Sequence, residues 1–248
     1  MFNKALDDNT DNWLVFHWFL LSFNAGCINT GGFLTTGRFV SHVTGFATLF
    51  GVELSHNEYL DAIEILSVPF FFLLGSFLAG LLIDRPIYKK KKPHFDYVMG
   101  LSALCLFIAS TGGGWHLFGL ANDFKISHVY FLLSLLCLAC GLQNGAITSS
   151  SGNTIRTTHL TGLTTDIGLG LARLLTFQRQ DIRYKKERYA NRLRTGSVFS
   201  FVLGSAVGSW FFINIGYKAF ILSALIASYA AWHGRKFKIA AHKQEAII

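Results

Sequence analysis

ISHVYFLLSLLCLACGLQNGAITSSSGNTI, residues 126–155, runs for thirty positions without an Asp, Glu, Lys or Arg. A helix that crosses the roughly 30 Å hydrocarbon core of a bilayer needs about 20 largely apolar residues. This stretch is long enough to cross with residues to spare. Uncharged runs also cover 12–37, 65–83, 97–122, 195–217 and 219–234. The last is the shortest, and Lys218 and Arg235 extend it because their long stems carry the charge out to the interface. Six spanning helices are therefore expected, and the fold class is all-α integral membrane protein. Composition agrees. Of the 248 residues 51% are apolar and only 15% charged, 24 are Phe, and the mean hydropathy is +0.39; a soluble domain carries about a quarter charged residues. This mixture argues against a disordered chain, a disulfide scaffold and a nucleic-acid module. The first span is preceded by Asp7, Asp8 and Asp11 with only Lys4, which is not the basic start of a cleavable signal.

The net charge of +8 is unevenly placed. Seventeen of the 22 Lys and Arg fall in three segments. These are Asp84–Asp96, with Arg85 and Lys89 to Lys92; Arg173–Arg194; and the tail, with Arg235, Lys236, Lys238 and Lys243. Short basic loops stay on the cytoplasmic side, so all three are expected inside. Glu53–Glu64 holds four acids and no Lys or Arg, and is expected outside. Binding of anionic lipid headgroups or RNA is the alternative reading of the basic clusters.

This orientation leaves two segments that cannot cross. The span at 97–122 runs outward and 126–155 returns, so Thr157 to Phe177 begins and ends inside. Its Asp166 and Arg173 agree, because charge facing lipid is costly. Near the start, the 14 uncharged residues between Arg38 and Glu53 make a helix of about 21 Å, too short to span. Both termini are then cytoplasmic.

The two non-crossing segments resemble each other. Ser41-His42-Val43-Thr44-Gly45-Phe46-Ala47-Thr48 aligns with Thr158-His159-Leu160-Thr161-Gly162-Leu163-Thr164-Thr165. Upstream, Gly26-Cys27-Ile28-Asn29 aligns with Gly141-Leu142-Gln143-Asn144 as G-x-x-N; downstream, Leu74-Gly75-Ser76 aligns with Leu203-Gly204-Ser205. The offsets are 115, 117 and 129 residues in the same order, and the longer basic loop of the second half accounts for the last. The chain reads as an inverted 3+3 transmembrane repeat with one non-crossing H-x-T-G segment per repeat. Its parts are an N-terminal tail (1–12), repeat 1 (13–116), a connector (117–127), repeat 2 (128–234) and a basic tail (235–248). Inverted repeats with broken helices are a transporter architecture, with the site near the midplane.

The paired G-x-x-N and H-x-T-G motifs, with Phe39-Val40-Ser41-His42 and Arg156-Thr157-Thr158, resemble the YoaK-like family over roughly residues 14–235. The resemblance implies a multi-helix bacterial inner-membrane protein and brings no established substrate. It also implies Asn after the first Thr-Gly, where this chain has Phe46.

A helix that begins at membrane depth exposes unpaired N–H groups and a partial positive charge, which favour an anion. Gly45 and Gly162 permit close approach. Thr44, Thr48, Thr161 and Thr165 offer hydroxyls, Asn29 and Asn144 donate and accept, and His42 and His159 are titratable groups at depth. These ten residues form the candidate solute site, and purely structural polar packing is the alternative. Asp166 is the candidate for coupling to a proton or cation, or it pairs with Arg156 or Arg173. Cys137-x-x-Cys140, Gly141-x-x-x-Gly145 and Gly204-x-x-x-Gly208 read as close-packing faces rather than redox or ligand sites. No zinc spacing, phosphate loop or nucleophile elbow occurs. A transporter or channel for a small polar or anionic solute is the expected function, without catalytic residue, metal or cofactor. A membrane enzyme acting on a lipid or quinone, and a non-catalytic scaffold, are the alternatives. The expected partners are the lipid bilayer and that solute, not nucleic acid, with a homodimer left open.

Overall fold

The computed structural model describes residues 11–112 and 126–245, with the helical backbone alone at 126–128 and 235–245. Residues 117–125 of the connector, the acidic residues Asp7 and Asp8, and the side chains of the basic tail lie outside the described residues. Among the described residues all regular structure is helical: α1 Asn12–Thr36, α2 Val43–Ser55, α3 Tyr59–Leu82, α4 Asp84–Tyr88, α5 Phe95–Gly112, α6 Ile126–Ser150, α7 Leu160–Thr176, α8 Ile182–Ile215 and α9 Phe220–Glu245.

Four stretches of the described chain are long and apolar enough to cross a membrane: Tyr59–Tyr88, Phe95–Gly112, Val129–Ser150 and Ile182–Gly234. The fourth contains two helices, α8 and α9, joined by a 3-10 turn at Gly216–Ala219. α1 is uncharged over 25 residues but is not among the four. His17, Asn24 and Asn29 dilute its hydropathy, and it keeps His17 and Asn24 buried inside the bundle. The chain is a helical membrane protein.

The register of named contacts fixes how the long helices run. Along α1 and α8, Ser22 meets Ser197, and Gly31 lies on the Phe212 ring, so these two helices are parallel. Along α3 and α6, Phe72 approaches Gly141 and Ala79 approaches Gly145, again in parallel. Trp18 Nε1 donates to Ser150 Oγ at 3.0 Å while Asn24 Nδ2 donates to Gln143 Oε1 at 3.3 Å, so α1 and α6 are antiparallel. Gly234 lies beside Asp96, and Ser110 Oγ donates to Lys218 O at 3.3 Å, so α5 and α9 are antiparallel too. Trp13 stacks edge-on against His233 and His17 on Tyr229, which opposes α9 to α1. In chain order α1, α3, α5, α6, α8 and α9 alternate in direction.

The tightest packing involves glycine and carbonyl. A Cβ on Gly26 would fall on the Phe201 carbonyl, 2.8 Å from Ser205 N; one on Gly141 would fall on the Phe72 carbonyl, 3.1 Å from Ser76 N. Ser205 Oγ donates to Gly26 O at 3.4 Å and Ser76 Oγ to Gly141 O at 3.2 Å. Without a hydrophobic drive between helices in lipid, such close approach supplies the association energy. Two buried apolar clusters lie along the bundle. One gathers around Ile28, Ile65, Leu133 and Phe220, the other around Trp18, Met99, Leu142 and Ile147.

Candidate functional site

Between α1 and α2 the chain turns at Gly37, whose φ of 72° caps the helix in the left-handed region. It then folds back beside α1, and Ser41 N and Oγ both donate to Asn29 Oδ1 at 3.2 Å. Cys137 Sγ donates to Val40 O at 2.8 Å, so α6 holds the same turn. On the other side, Thr157 Oγ1 donates to Asn144 Oδ1 at 3.4 Å. His42 precedes α2 with φ −91° and ψ 66°; His159 precedes α7 with φ −97° and ψ 63°. Neither side chain caps its helix, so the leading N–H groups lack a side-chain acceptor.

Both helix starts open on one cavity of about 390 Å³, lined by Asn29, Phe39, Ser41, His42, Val43 and Thr44 from the first segment. From the second come Thr158, His159, Leu160, Thr161 and Gly162, with Phe201 of α8. No carboxylate is in this lining. His42 and Thr44 are exposed at its rim, while Thr158 is only 6% exposed. Thr158 Oγ1 has no hydrogen-bond partner among the described residues. His159 is half-buried, its ring 5.9 Å from that of Phe72.

Residues 17–232 match the family model described as "Protein of unknown function (DUF1275)". The chain belongs to the DUF1275 family. The matched span takes in every residue that lines the cavity. No curated protein and no solved structure matches the chain.

Of the ten site residues named from sequence, this DUF1275 chain brings Asn29, His42, Thr44, His159, Thr161 and Gly162 to the cavity. The others lie apart from it. Gly45 lines an adjoining pocket of about 110 Å³ with Arg38, Phe39 and Leu49. Asn144 lines a separate one of about 550 Å³ with Ser76, Asp84 and Thr148. Thr48 Oγ1 turns back to Thr44 O at 3.1 Å and Thr165 Oγ1 to Thr161 O at 3.0 Å, since a helical Thr readily satisfies itself on the preceding turn. Asp166 is exposed on α7 and pairs with neither Arg156 nor Arg173; Arg173 instead meets Glu187 at 3.3 Å. No backbone of a neighbouring helix approaches either motif glycine among the described residues. A Cβ on Gly162 meets open space, and one on Gly45 meets only the His42 ring of its own segment. Phe46 is buried, 2% exposed, in the apolar cluster around Ile28.

Sequence reading passed over two groups. Thr158 stands opposite Ser41 in the aligned segments, but nothing in the sequence signals that its hydroxyl is buried. The other is a fully buried polar network, in which Asn24 Nδ2 donates to Gln143 Oε1 and to Ser223 O, both at 3.3 Å, and Gln143 Nε2 donates to Ser102 Oγ at 3.0 Å. It joins α1, α5, α6 and α9, and amides within uncharged runs were its signal. The four cysteines are free and buried, and no group of three or more His, Cys, Asp or Glu able to hold a metal ion occurs among the described residues.

Proposed function

We propose that this protein is a channel or transporter of the bacterial inner membrane, allied to the YoaK-like proteins, that passes a small anionic or polar solute through the cavity between α2 and α7. The observation that carries this reading is the cavity onto which two uncapped helix N-termini open, with the buried, unpartnered Thr158 hydroxyl just behind its lining. Two helix starts each present a partial positive charge with no carboxylate to neutralise it, and a hydroxyl kept dry without a partner is costly unless a ligand or water satisfies it. About 390 Å³ is within the range of small-ligand sites. An inverted 3+3 repeat is supported by the alternating helix directions. It is supported also by the exchange of contacts between halves: Gly26 on Phe201 and Ser205 corresponds to Gly141 on Phe72 and Ser76. The enzyme alternative needs an acid beside the two histidines, which the lining lacks, and the scaffold alternative needs a filled centre.

Flux into proteoliposomes, screened over small inorganic and carboxylic anions and neutral polyols, tests the proposal. Thr158→Val keeps the shape and removes the hydroxyl. A hydrogen bond to an ion is worth about 1.5–3 kcal/mol, so flux of the transported anion falls about tenfold or more. His42→Ala and His159→Ala impair flux with normal abundance. Wild-type flux equal to that of empty vesicles over the whole panel, or full flux in all three variants, overturns the reading.

A further inference from the structure

A second concavity lies at the start of α8, well away from the cavity between α2 and α7. It measures about 890 Å³ and is lined by Arg179, Tyr184, Lys185, Arg188, Tyr189 and Arg192. Positions 184, 185, 188, 189 and 192 recur at helical spacing, so one face of α8 carries three cations and two phenols, and Arg179 reaches in from the preceding loop. We propose that this is a binding site for the phosphate-bearing headgroup of an anionic phospholipid.

The two acids nearest in sequence, Asp181 and Glu187, are committed elsewhere. Asp181 caps α8 by accepting from Arg183 N at 2.8 Å and pairs with the Arg183 guanidinium at 2.6 Å. Glu187 pairs with Arg173 at 3.3 Å and with Arg194 at 2.9 Å. None of the four lining cations takes part in an ion pair among the described residues, and no carboxylate lines the concavity. Arg194 and Asn191 lock the other side of α8: Arg194 Nη1 donates to Asn191 Oδ1 at 2.9 Å and Asn191 Nδ2 to Ile167 O of α7 at 3.3 Å. The lining cations thus share one concavity, three of them on a helix fixed from behind, and repel one another. An anion relieves that repulsion.

The inner end of the concavity lies close to the membrane, which favours a lipid headgroup over a soluble anion. The uncharged run of α8 begins at Thr195. At 1.5 Å per residue, Arg192 stands about 4–5 Å, Arg188 about 10 Å and Lys185 about 15 Å beyond it. The headgroup layer on each side is about 5–8 Å thick. On that scale Arg192 falls within the headgroup layer, while Arg188 and Lys185 start beyond it and reach back toward it with their long side chains. The two tyrosines supply donors and an amphipathic wall suited to that interface.

Native mass spectrometry of the purified full-length protein in detergent tests this, with phosphatidylglycerol, phosphatidylcholine and soluble glycerol phosphate as probes. Wild type retains phosphatidylglycerol in preference to phosphatidylcholine, and 0.5 M salt weakens the preference. Each cation near an anionic surface is worth about fivefold in affinity, so Arg188→Gln and Arg192→Gln each lower retention about fivefold. Lys89→Gln/Lys90→Gln/Lys91→Gln, which removes as much charge or more from a loop without this concavity, leaves it unchanged. Equal loss in the Lys89–Lys91 variant shows a generic charge effect and overturns the site, as does equal retention of phosphatidylcholine by wild type. Displacement of the lipid by glycerol phosphate at the same concentration overturns the lipid assignment. None of these readouts depends on solute flux.

Discussion

Replacing Gly141 by alanine tests whether the helix pairs rest on close backbone approach. The new Cβ would fall on the Phe72 carbonyl of α3 and stand 3.1 Å from Ser76 N. Neither is a flexible side-chain end, so α3 must move away from α6. Overpacking of this kind costs about 1–3 kcal/mol. The same movement stretches the Ser76 Oγ bond to Gly141 O, now 3.2 Å, and an interhelical hydrogen bond in a membrane bundle averages about 0.6 kcal/mol. Alanine also raises helix propensity by up to about 1 kcal/mol over glycine, which offsets part of the loss. The net expectation is a destabilisation of about 1–3 kcal/mol. For a chain of this size each kcal/mol moves the midpoint about 2–4 °C, so the melt in detergent shifts down by about 2–12 °C. Gly26→Ala meets the Phe201 carbonyl and Ser205 N in the same way, and its shift should match. Gly162→Ala, with nothing within 4 Å of the new methyl, is the control: its midpoint stays level or rises. If Gly162→Ala melts as low as Gly141→Ala, or the Gly26 and Gly141 variants melt with wild type, the helices are not held by these approaches.

Single cysteines at Glu58 and Lys186 test the topology, because the four native cysteines are buried; Glu58→Cys is expected to react with a membrane-impermeant maleimide from the periplasm and Lys186→Cys only from the cytoplasm, and equal periplasmic labelling of both sinks the inverted arrangement. The Arg183 side chain, together with its backbone N–H, holds the Asp181 carboxyl below the ordinary carboxylate range. A lowered folded pKa contributes stability above the unfolded value and loses it as pH falls through the folded one. The first turn of α8 should therefore fray in acid, read as faster intrinsic-rate-corrected hydrogen exchange at residues 182–185 at pH 3 than at pH 7; unchanged protection refutes the cap.

Charge placement made the long helices legible, because lipid excludes charge over a length that sequence alone reveals. It marks where lipid begins, however, and not where a helix begins. α8 starts at Ile182, well ahead of its uncharged run, since Lys, Arg and Glu are good helix formers in water. α1 shows the opposite failure: uncharged throughout, it carries amides and histidine that dilute its hydropathy, and only packing shows that His17 and Asn24 point inward. In the site, His42 and His159 were legible because motif and position repeat together. Asn144 was not placed correctly beside the cavity, because its neighbour Thr157 is satisfied by it on the far side of the turn. Thr158 was missed because burial of one hydroxyl among many is a tertiary fact.

On the proposed repeat, the two halves correspond most closely at the backbone and less at the side chains near the cavity. Gly26 and Gly141 meet equivalent carbonyls, and His42 and His159 share one backbone conformation. Yet Ser41 gives its hydroxyl to Asn29, while Thr158 at the aligned position has no hydroxyl partner among the described residues. α2 is a 13-residue helix without a Lys or Arg, whereas α7 has 17 residues and carries Asp166 and Arg173. Two helix N-termini of like sign on one cavity repel each other, and both gain from negative charge between them. On the proposed transport reading, the matched backbone favours an anion between the two helices without favouring either exit. Direction then comes from the unmatched groups: a spare donor at Thr158 and, further along α7, the acid Asp166. A solute held between α2 and α7 would thus meet different surroundings on its two ways out, which a transporter built from two equal halves would otherwise lack.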